Sequence, residues 1–441
     1  FMKLRISSKE FYSRQNRELE RFFGFNKKVL CLSTKSDVLI NEDNEFINII
    51  KVDNPAEIKF ELSKVKNSYY DLVIVTDLFE VSDDIYDLLS TLKFKLNKSG
   101  KILISTINSK WKLVQSLLEF FNLKKKIRKG SNTKLQKIIN ISRSCGLEFN
   151  YFFTKQIFPF KLFGLGNILN NSLEIIFFKF NLGIKSYILF SNLTSEHNPM
   201  SKSVIVPAKN ESGNLEILFK NFPKLNLLNE IVLICAESED NTYEVANKIK
   251  LDFPELKIKT IEQQSNGKAN AVFEALEHTT GELISILDSD ISVEPSTLNS
   301  FFEIIENGHG DFVNGTRLIY PIEKDSMRKL NIIGNKFFKT AVSLVIQNSL
   351  SDSLCGTKVF KKSHVPYLLK WRKDLNYTDP FGDFDFLFSA AYYGEKILEY
   401  PVHYKARIYG KTQISRFRDG FKLMVYFIKS FSRFNTSLTK Q

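Results

Sequence analysis

Two aspartates one residue apart, Asp288-Ser289-Asp290, follow directly on the apolar run Leu283-Ile284-Ser285-Ile286-Leu287. Residues two apart in an extended backbone face the same side, so the spacing predicts both carboxylates in one space with Ser289 turned away. Paired hard oxygens suit Mg²⁺ or Mn²⁺, which bind through one or two carboxylates and complete their shell with phosphate oxygens. An isolated pair of this kind is ordinarily a solvated acidic turn, so the surroundings decide which reading applies.

Those surroundings alternate strands with helices. Ser203-Val204-Ile205-Val206, ended by Pro207, and the runs 230–235, 256–261 and 282–287 are expected strands. Helices are expected from near Asn214, after Asp240-Asn241-Thr242, over 268–278, and after Pro295, a residue suited to a first helical turn. Such an open, doubly wound sheet binds ligands beyond the carboxyl ends of its strands, which is where the aspartate pair stands. In the first half, 28–32, 46–50, 71–75 and 101–105 are short aliphatic runs alternating with helical patterns such as 84–96. Strands spaced in this way predict a parallel sheet with crossovers. The fold class is therefore α/β with two doubly wound, Rossmann-like domains. A polar, proline-containing stretch at 191–202 marks the seam. It predicts one domain over 1–195, a linker over 196–202, a second domain over 203–415 and a C-terminal segment over 416–441.

Composition sets the outer bounds. With 43% hydrophobic and 25% charged residues, the 441-residue chain suits globular domains and excludes collagen-like or low-complexity architecture. Lys and Arg number 62 against 49 Asp and Glu, a net charge of +13, which favours anionic partners. The basic residues are dispersed and match no nucleic-acid motif, so no nucleic acid is expected. Cys31, Cys145, Cys235 and Cys355 are far apart with no CxxC pair, which predicts neither disulfides nor structural zinc and places the chain in a reducing compartment. The N-terminus lacks an apolar signal core, and the most apolar stretches, 173–190 and 330–346, are interrupted by lysines. The expected location is cytoplasmic.

Beyond the aspartate pair, a series of short motifs runs in order. It comprises Val204-Ile205-Val206-Pro207-Ala208-Lys209-Asn210-Glu211, Ser238-Glu239-Asp240-Asn241-Thr242, Gly267-Lys268-Ala269-Asn270-Ala271 and Thr280-Gly281-Glu282. Further on come Asn314-Gly315-Thr316-Arg317, Asp352-Ser353-Leu354-Cys355-Gly356-Thr357-Lys358, Phe381-Gly382-Asp383-Phe384-Asp385 and Arg407-Ile408-Tyr409-Gly410-Lys411-Thr412. Together they resemble a family 2 glycosyltransferase of the GT-A fold over 203–415, nearest the polyprenyl (dolichyl) phosphate sugar transferases. The resemblance implies a metal-dependent, inverting transfer of a hexose from a GDP- or UDP-sugar to a polyprenyl phosphate or other lipid-linked acceptor. Transfer to a saccharide hydroxyl in envelope polysaccharide synthesis is the alternative.

The site residues follow from that resemblance and from the chemistry of a departing diphosphate, whose charge must be neutralised. Asp288 and Asp290 are expected to hold Mg²⁺ or Mn²⁺. Pro207, Ala208, Asn210, Glu211, Glu237, Gly267, Lys268 and Asp288 are expected around the nucleotide sugar. Arg407 and Lys411 are expected to clamp the diphosphate, and Arg317 to meet a donor or acceptor phosphate. Asp383, with Asp385 beside it, stands where the family has its catalytic carboxylate. It acts as a base toward a hydroxyl acceptor and as a positioning group toward an anionic phosphate. The chain departs from the family where Cys235-Ala236-Glu237 closes the second strand with its acid two positions late.

Residues 20–190 resemble a class I S-adenosylmethionine-dependent methyltransferase, with Val29-Leu30-Cys31-Leu32 as first strand, Asp53 closing the second, the 70–77 run as fourth and the 99–105 run as fifth. That family follows its first strand with glycines, which let the backbone approach the cofactor. Here the turn reads Ser33-Thr34-Lys35-Ser36-Asp37. S-adenosylmethionine is therefore not expected as a cofactor, and a scaffold or docking role is. A bifunctional methyltransferase and glycosyltransferase is the further alternative. Finally, Phe417, Phe421, Met424, Phe427, Ile428, Phe431 and Phe434 recur three or four apart, with Lys422, Lys429 and Arg433 off that stripe. An amphipathic helix with a basic flank, seconded by 330–346 with Lys336 and Lys339, predicts peripheral contact at the cytoplasmic face of a membrane.

Overall fold

The computed structural model describes residues 8–23, 28–33, 47–52, 57–76, 84–111, 114, 135–157, 169–170, 172–174, 177, 180–193, 198–320, 329–346, 348–405, 409 and 416–435. Contacts divide the chain into two compact units, Phe1–Thr194 with Ser437–Gln441, and Ser195–Thr436.

In the first unit, β1 (Val29–Ser33), β2 (Ile47–Lys51), β3 (Tyr70–Thr76) and β4 (Leu96–Ile107) lie parallel in the order β2-β1-β3-β4. The sheet continues through β6 (Lys185–Asn192) to β5 (Leu147–Lys155), with β6 antiparallel to both neighbours. The fully parallel sheet expected from strand spacing is thus a mixed one. Helix α1 spans Ser8–Glu20 and α2 spans Ile58–Ser63. Helix α3 (Ile85–Lys93) starts where Asp84 caps it, accepting from the Asp87 amide at 2.9 Å. Its apolar face of Ile85, Leu88, Leu89 and Leu92 is buried. Helix α4 (Leu135–Ser144) also flanks the sheet. The glycine-free turn at 34–37 and Asp53 lie outside the described residues.

The second unit holds a seven-stranded sheet in the order β13-β11-β12-β10-β7-β8-β9. Its members are β7 (Lys202–Ala208), β8 (Leu228–Cys235), β9 (Ile258–Glu262), β10 (Leu283–Ile286), β11 (Phe312–Thr316), β12 (Lys358–Lys361) and β13 (Ile397–Pro401). The β9-β8-β7-β10 half is parallel, and β12 runs antiparallel between β10 and β11. Val204 and Val206 pack into the core on one face and Ile205 into that on the other, so the central strand reads as an unbroken apolar run. Helices α5 (Ser212–Lys220), α6 (Thr242–Asp252) and α8 (Thr297–Glu306) cover the first face. The second is covered by α7 (Lys268–Leu276), α9 (Lys329–Ile346), α10 (Val365–Leu375), α11 (Asp383–Tyr392) and α12 (Arg416–Asn435).

Three expectations change here. Strand β7 runs past Pro207 to Ala208, because proline's missing N–H falls on the side of β10, which has already ended at Ile286. The chain at Lys202, expected in the linker, is already strand. The C-terminal segment is not separate: Leu423, Tyr426 and Phe434 of α12 are buried in the second unit's core. The phenylalanine stripe is split: Phe434 is buried and Phe427 and Phe431 pack against the core, whereas Phe421 and Ile428 stay exposed. Among the described residues, no helix is long and apolar enough to cross a membrane.

One buried carboxylate welds the amino ends of the strands. Glu230 on β8 accepts from the Ser203 hydroxyl, from Thr280 N at 2.9 Å and Oγ1 at 2.6 Å, and from Lys259 Nζ at 3.1 Å. Burial alone would raise its pKa, but these donors bring it down from 4.5 to about 2. A depressed carboxylate pKa contributes stability that is complete above about pH 4.5 and lost as pH falls toward about 2. Glu230→Gln is expected to remove on the order of 3 kcal/mol at neutral pH and to flatten the stability profile across that window. Urea unfolding at several pH values checks both effects.

Candidate active site

The carboxyl ends of β7, β8 and β10 open onto one side of the sheet, and the loop after β7 is laced to the loop after β8. Asn210, with a left-handed φ of 55°, donates its amide to Ser238 Oγ at 3.1 Å, and its Oδ1 accepts from Glu239 N at 2.7 Å. The Glu211 amide reaches Thr242 Oγ1 at 2.9 Å, and Ser212 Oγ reaches Asp240 Oδ2 at 2.9 Å. Ala208 is buried and Pro207 half-buried. The Glu211 carboxylate is buried and accepts from Asn214 Nδ2 at 2.5 Å, inside its own helical turn. Glu237 is exposed.

The aspartate pair departs from its expected geometry. Strand β10 stops at Ile286 and the backbone turns at Ser289 and Asp290, so the two-residue period of a strand no longer applies. Ser289 Oγ fastens the turn to the Pro207 carbonyl at 2.9 Å. Asp290 is buried, its Oδ1 accepting from Ser292 N at 3.0 Å and Oγ at 2.6 Å. Asp288 is half-buried and pairs with Lys268 Nζ at 2.5 Å. Lys268 opens α7 directly after Gly267, whose φ of 101° is a conformation that glycine adopts without strain. Burial favours neutral Asp288, yet the Lys268 ammonium, with Lys358 and Arg317 beyond it, holds the carboxyl below its usual range. Burial likewise opposes the Lys268 charge, and Asp288, Asp383 and Asp290 together raise its pKa well above normal. One ammonium thus serves three carboxylates.

Gly356 forms the wall beside Asp288. A Cβ there would stand 2.2 Å from Asp288 Oδ2, so the loop approaches the carboxylate more closely than any side chain permits. Gly356→Ala is expected to push Asp288 off Lys268 and cost about a hundredfold in turnover. The melting temperature should barely move, and an activity assay beside a thermal melt checks the pair of outcomes.

Arg317 is placed otherwise than expected. Its Nε and Nη2 grip Asp352 Oδ2 and Oδ1 at 2.7 and 3.0 Å, its own amide reaches Oδ2 at 3.1 Å, and Asn335 Nδ2 adds a bond at 2.8 Å. Burial would raise the Asp352 pKa, but Arg317 brings it to about 2. This bidentate pair fixes the end of β11 and commits the guanidinium's Nε and Nη2 to Asp352. Arg407 and Lys411 lie outside the described residues.

Asp383 begins α11 and accepts at Oδ1 from Lys358 Nζ at 2.5 Å; the lysine, on β12, is fully buried and also donates to the Cys355 carbonyl. Asp385, expected beside it in the same role, is inaccessible: two helical residues are about 200° apart around the axis, so it faces the opposite way. It accepts from the Tyr426 hydroxyl, and burial, then Asp379, push its pKa far up. Asp379 itself accepts from Phe381 N at 3.0 Å and Phe384 N at 2.6 Å, and burial and Asp383 raise it to about 6. The roles of Lys358, Gly356 and Asp379 were not read from sequence. The one available signal was a lysine inside the apolar strand Thr357-Lys358-Val359-Phe360.

A divalent cation fits the donors present. Among the described residues no three His, Cys, Asp or Glu side chains gather as a cage. Asp288 and Asp290 supply hard oxygens for an ion that takes one or two carboxylates and draws the rest from phosphate and water. That Asp288 already holds a cationic group against a backbone wall bare of side chains agrees with such a use.

Residues 203–368 match the glycosyl transferase family 2 model. A dolichol-phosphate mannosyltransferase of Pyrococcus furiosus is 32% identical over 123 residues, 27% of this chain and 34% of that protein. The low-salt glycan biosynthesis hexosyltransferase Agl6 and the glycosyltransferase AglJ of Haloferax volcanii are each 24% identical over 226 residues. That is 50% of this chain and 51% and 69% of theirs, so the chain spans about a third to two thirds of these relatives. Glucosyl-3-phosphoglycerate synthase from Mycobacterium tuberculosis, solved with Mn²⁺, UDP and glucosyl-3-phosphoglycerate, is 14% identical with a TM-score of 0.41 over 53% of this chain and 80% of that one. The stretch from β7 to α10, which carries Asp288 and Asp290, is thus similar to glycosyltransferases of family 2.

Proposed function

We propose that this chain is a metal-dependent, inverting hexosyltransferase that moves a sugar from a GDP- or UDP-linked donor to a polyprenyl phosphate or similar lipid-linked phosphate. The observation that carries the acceptor class is the ion pair between Asp383 and the fully buried Lys358. Taking a proton onto Asp383 would strip that buried ammonium of its counter-charge, which is costly. A group so placed suits holding and orienting an acceptor that is already an anion. In the reaction an oxygen of the acceptor phosphate bonds to the anomeric carbon. The bond to the donor diphosphate breaks, and its electron pair leaves with the nucleoside diphosphate. No proton need move.

The chain's own part is to organise charge. Asp288 and Asp290 would hold a divalent ion, which when bound neutralises the departing diphosphate. Lys268 keeps Asp288 ionised, the Arg317–Asp352 pair steadies the loop beside it, and Asp383 sits across from them on Lys358. Phe421 and Ile428 of α12 and Phe337 of α9 are exposed beside the exposed Lys336, Lys422 and Lys429. That combination supports docking at the cytoplasmic face of an anionic bilayer, where a lipid-linked acceptor is found. The first unit is read as a methyltransferase-like scaffold, supported by its parallel β2-β1-β3-β4 run; calorimetric titration with S-adenosylmethionine should give no heat of binding.

The test is a nucleotide-sugar turnover screen with Mn²⁺, offering polyprenyl phosphate and the matching unphosphorylated polyprenol. Transfer to the phosphate alone supports the reading. Equal transfer to the alcohol or to a saccharide would instead point to envelope polysaccharide synthesis.

A further inference from the structure

We infer that Tyr426, on the C-terminal helix, is a positioning residue for sugar transfer: it fixes the first turn of α11, and through it Asp383, by donating to Asp385. The inference rests on the hexosyltransferase reading above.

The hydrogen bonds of this cluster run from indole to hydroxyl to carboxyl. The Trp371 indole Nε1 of α10 lies 2.8 Å from the Tyr426 hydroxyl and can only donate. The tyrosine oxygen therefore accepts from it, and the tyrosine proton points at Asp385 Oδ1. Trp371, Tyr426 and Asp385 are each fully buried, so no water competes along the chain. Three helices meet at one hydroxyl.

The same turn is held from behind by Asp379 and on its other side by Lys358. Gly382, at the N-cap of α11, offers no side-chain cap, and the Phe384 amide is caught from behind by Asp379 at 2.6 Å. Asp385 Oδ2 has no hydrogen-bond partner, and the carboxyl is held by the Tyr426 hydroxyl together with the Asp379 backbone. Asp383 occupies the other side of the same turn, against Lys358. Rotation of the turn would carry both aspartates together, since a helix is stiff over three residues. The ring of Tyr426 also packs on Phe384 and Phe388, centroids 6.2 Å away in each case, while Arg433 ties the same helix to Asp374 at 2.6 Å. The C-terminal helix is thus built into this unit by a bond whose other end lies in the same helical turn as Asp383.

Tyr426→Phe keeps the ring and deletes the hydroxyl. In the full chain with Mn²⁺, donor and polyprenyl phosphate, kcat is expected to fall about tenfold with the donor KM unchanged. Amide exchange over 383–388 should accelerate at least tenfold while β7 and β8 keep their protection. Asp385→Asn retains an oxygen for the tyrosine and should cost less than Tyr426→Phe. An unchanged kcat, or unchanged exchange over 383–388, overturns the assignment. So does an Asp385→Asn variant as damaged as Asp383→Asn, which would make Asp385 a reacting group. Wild-type protein that transfers no sugar would sink the hexosyltransferase reading instead, and the exchange measurement would still decide whether Tyr426 holds the turn.

Discussion

Asp288→Ala is expected to lower sugar transfer by about a thousandfold while the protein stays folded. The size follows from what the carboxylate does. It is one of two hard-oxygen donors at the carboxyl end of β10, and it holds the Lys268 ammonium at 2.5 Å. Losing preorganised charge at a leaving group costs about 10² to 10³ in turnover for a single donor. Here the proposed metal ligand and the seat of the Lys268 cation go together, which places the expected loss at the upper end. The fold should survive because Asp288 is half-buried and Lys268 keeps Asp383 and Asp290 as neighbouring charges. Turnover assays paired with Mn²⁺ titration check it. An Asp288→Ala protein that binds Mn²⁺ and turns over normally would remove Asp288 from the reaction.

Lys358→Met should be damaging in a different way. It removes the cation from a buried pair and leaves Asp383, itself buried, without its hydrogen-bonded counter-ion, with only the Lys268 charge beyond it. Breaking such a pair from one side costs about 3–5 kcal/mol, whereas replacing both partners with apolar groups is often nearly neutral. Lys358→Met is therefore expected to lose about 3 kcal/mol of stability and nearly all activity. Lys358→Met/Asp383→Leu should regain most of the stability and none of the activity. Urea unfolding of the wild type, the two single variants and the double variant gives the coupling directly. A double variant as unstable as Lys358→Met alone would show that the two side chains do not act as an energetic unit.

Much of the second unit was legible in its residues because burial and backbone geometry act locally. Unbroken apolar runs marked β7, β8 and β10, and Thr242, Lys268 and Thr297 open helices within a few residues of where their signals stand. The errors share one cause. Periodicity describes a segment only while its backbone conformation lasts. Asp288 and Asp290 were expected on one face of a strand that in fact stops two residues earlier. Asp385 was expected beside Asp383 at the site, although a helix begins at Asp383 and turns Asp385 into the core. The phenylalanine stripe of the C-terminal segment marked a helix correctly but not which face it buries, because apolar residues stand on more than one side of it.

By itself, the sequence determined the order of strands and helices, the acidic turn at the end of β10 and the series of motifs that match a glycosyl transferase family 2 domain. Each is written in neighbouring residues. Only the tertiary structure decided the partners of the charged groups: Lys268 with Asp288, Arg317 with Asp352, Lys358 with Asp383, Tyr426 with Asp385. These pairs join residues 20 to 41 positions apart in the chain. No local rule links them; they meet because strands β10, β11 and β12 and helices α7, α11 and α12 pack around one sheet, and a buried charge is stable only where the fold brings it a partner.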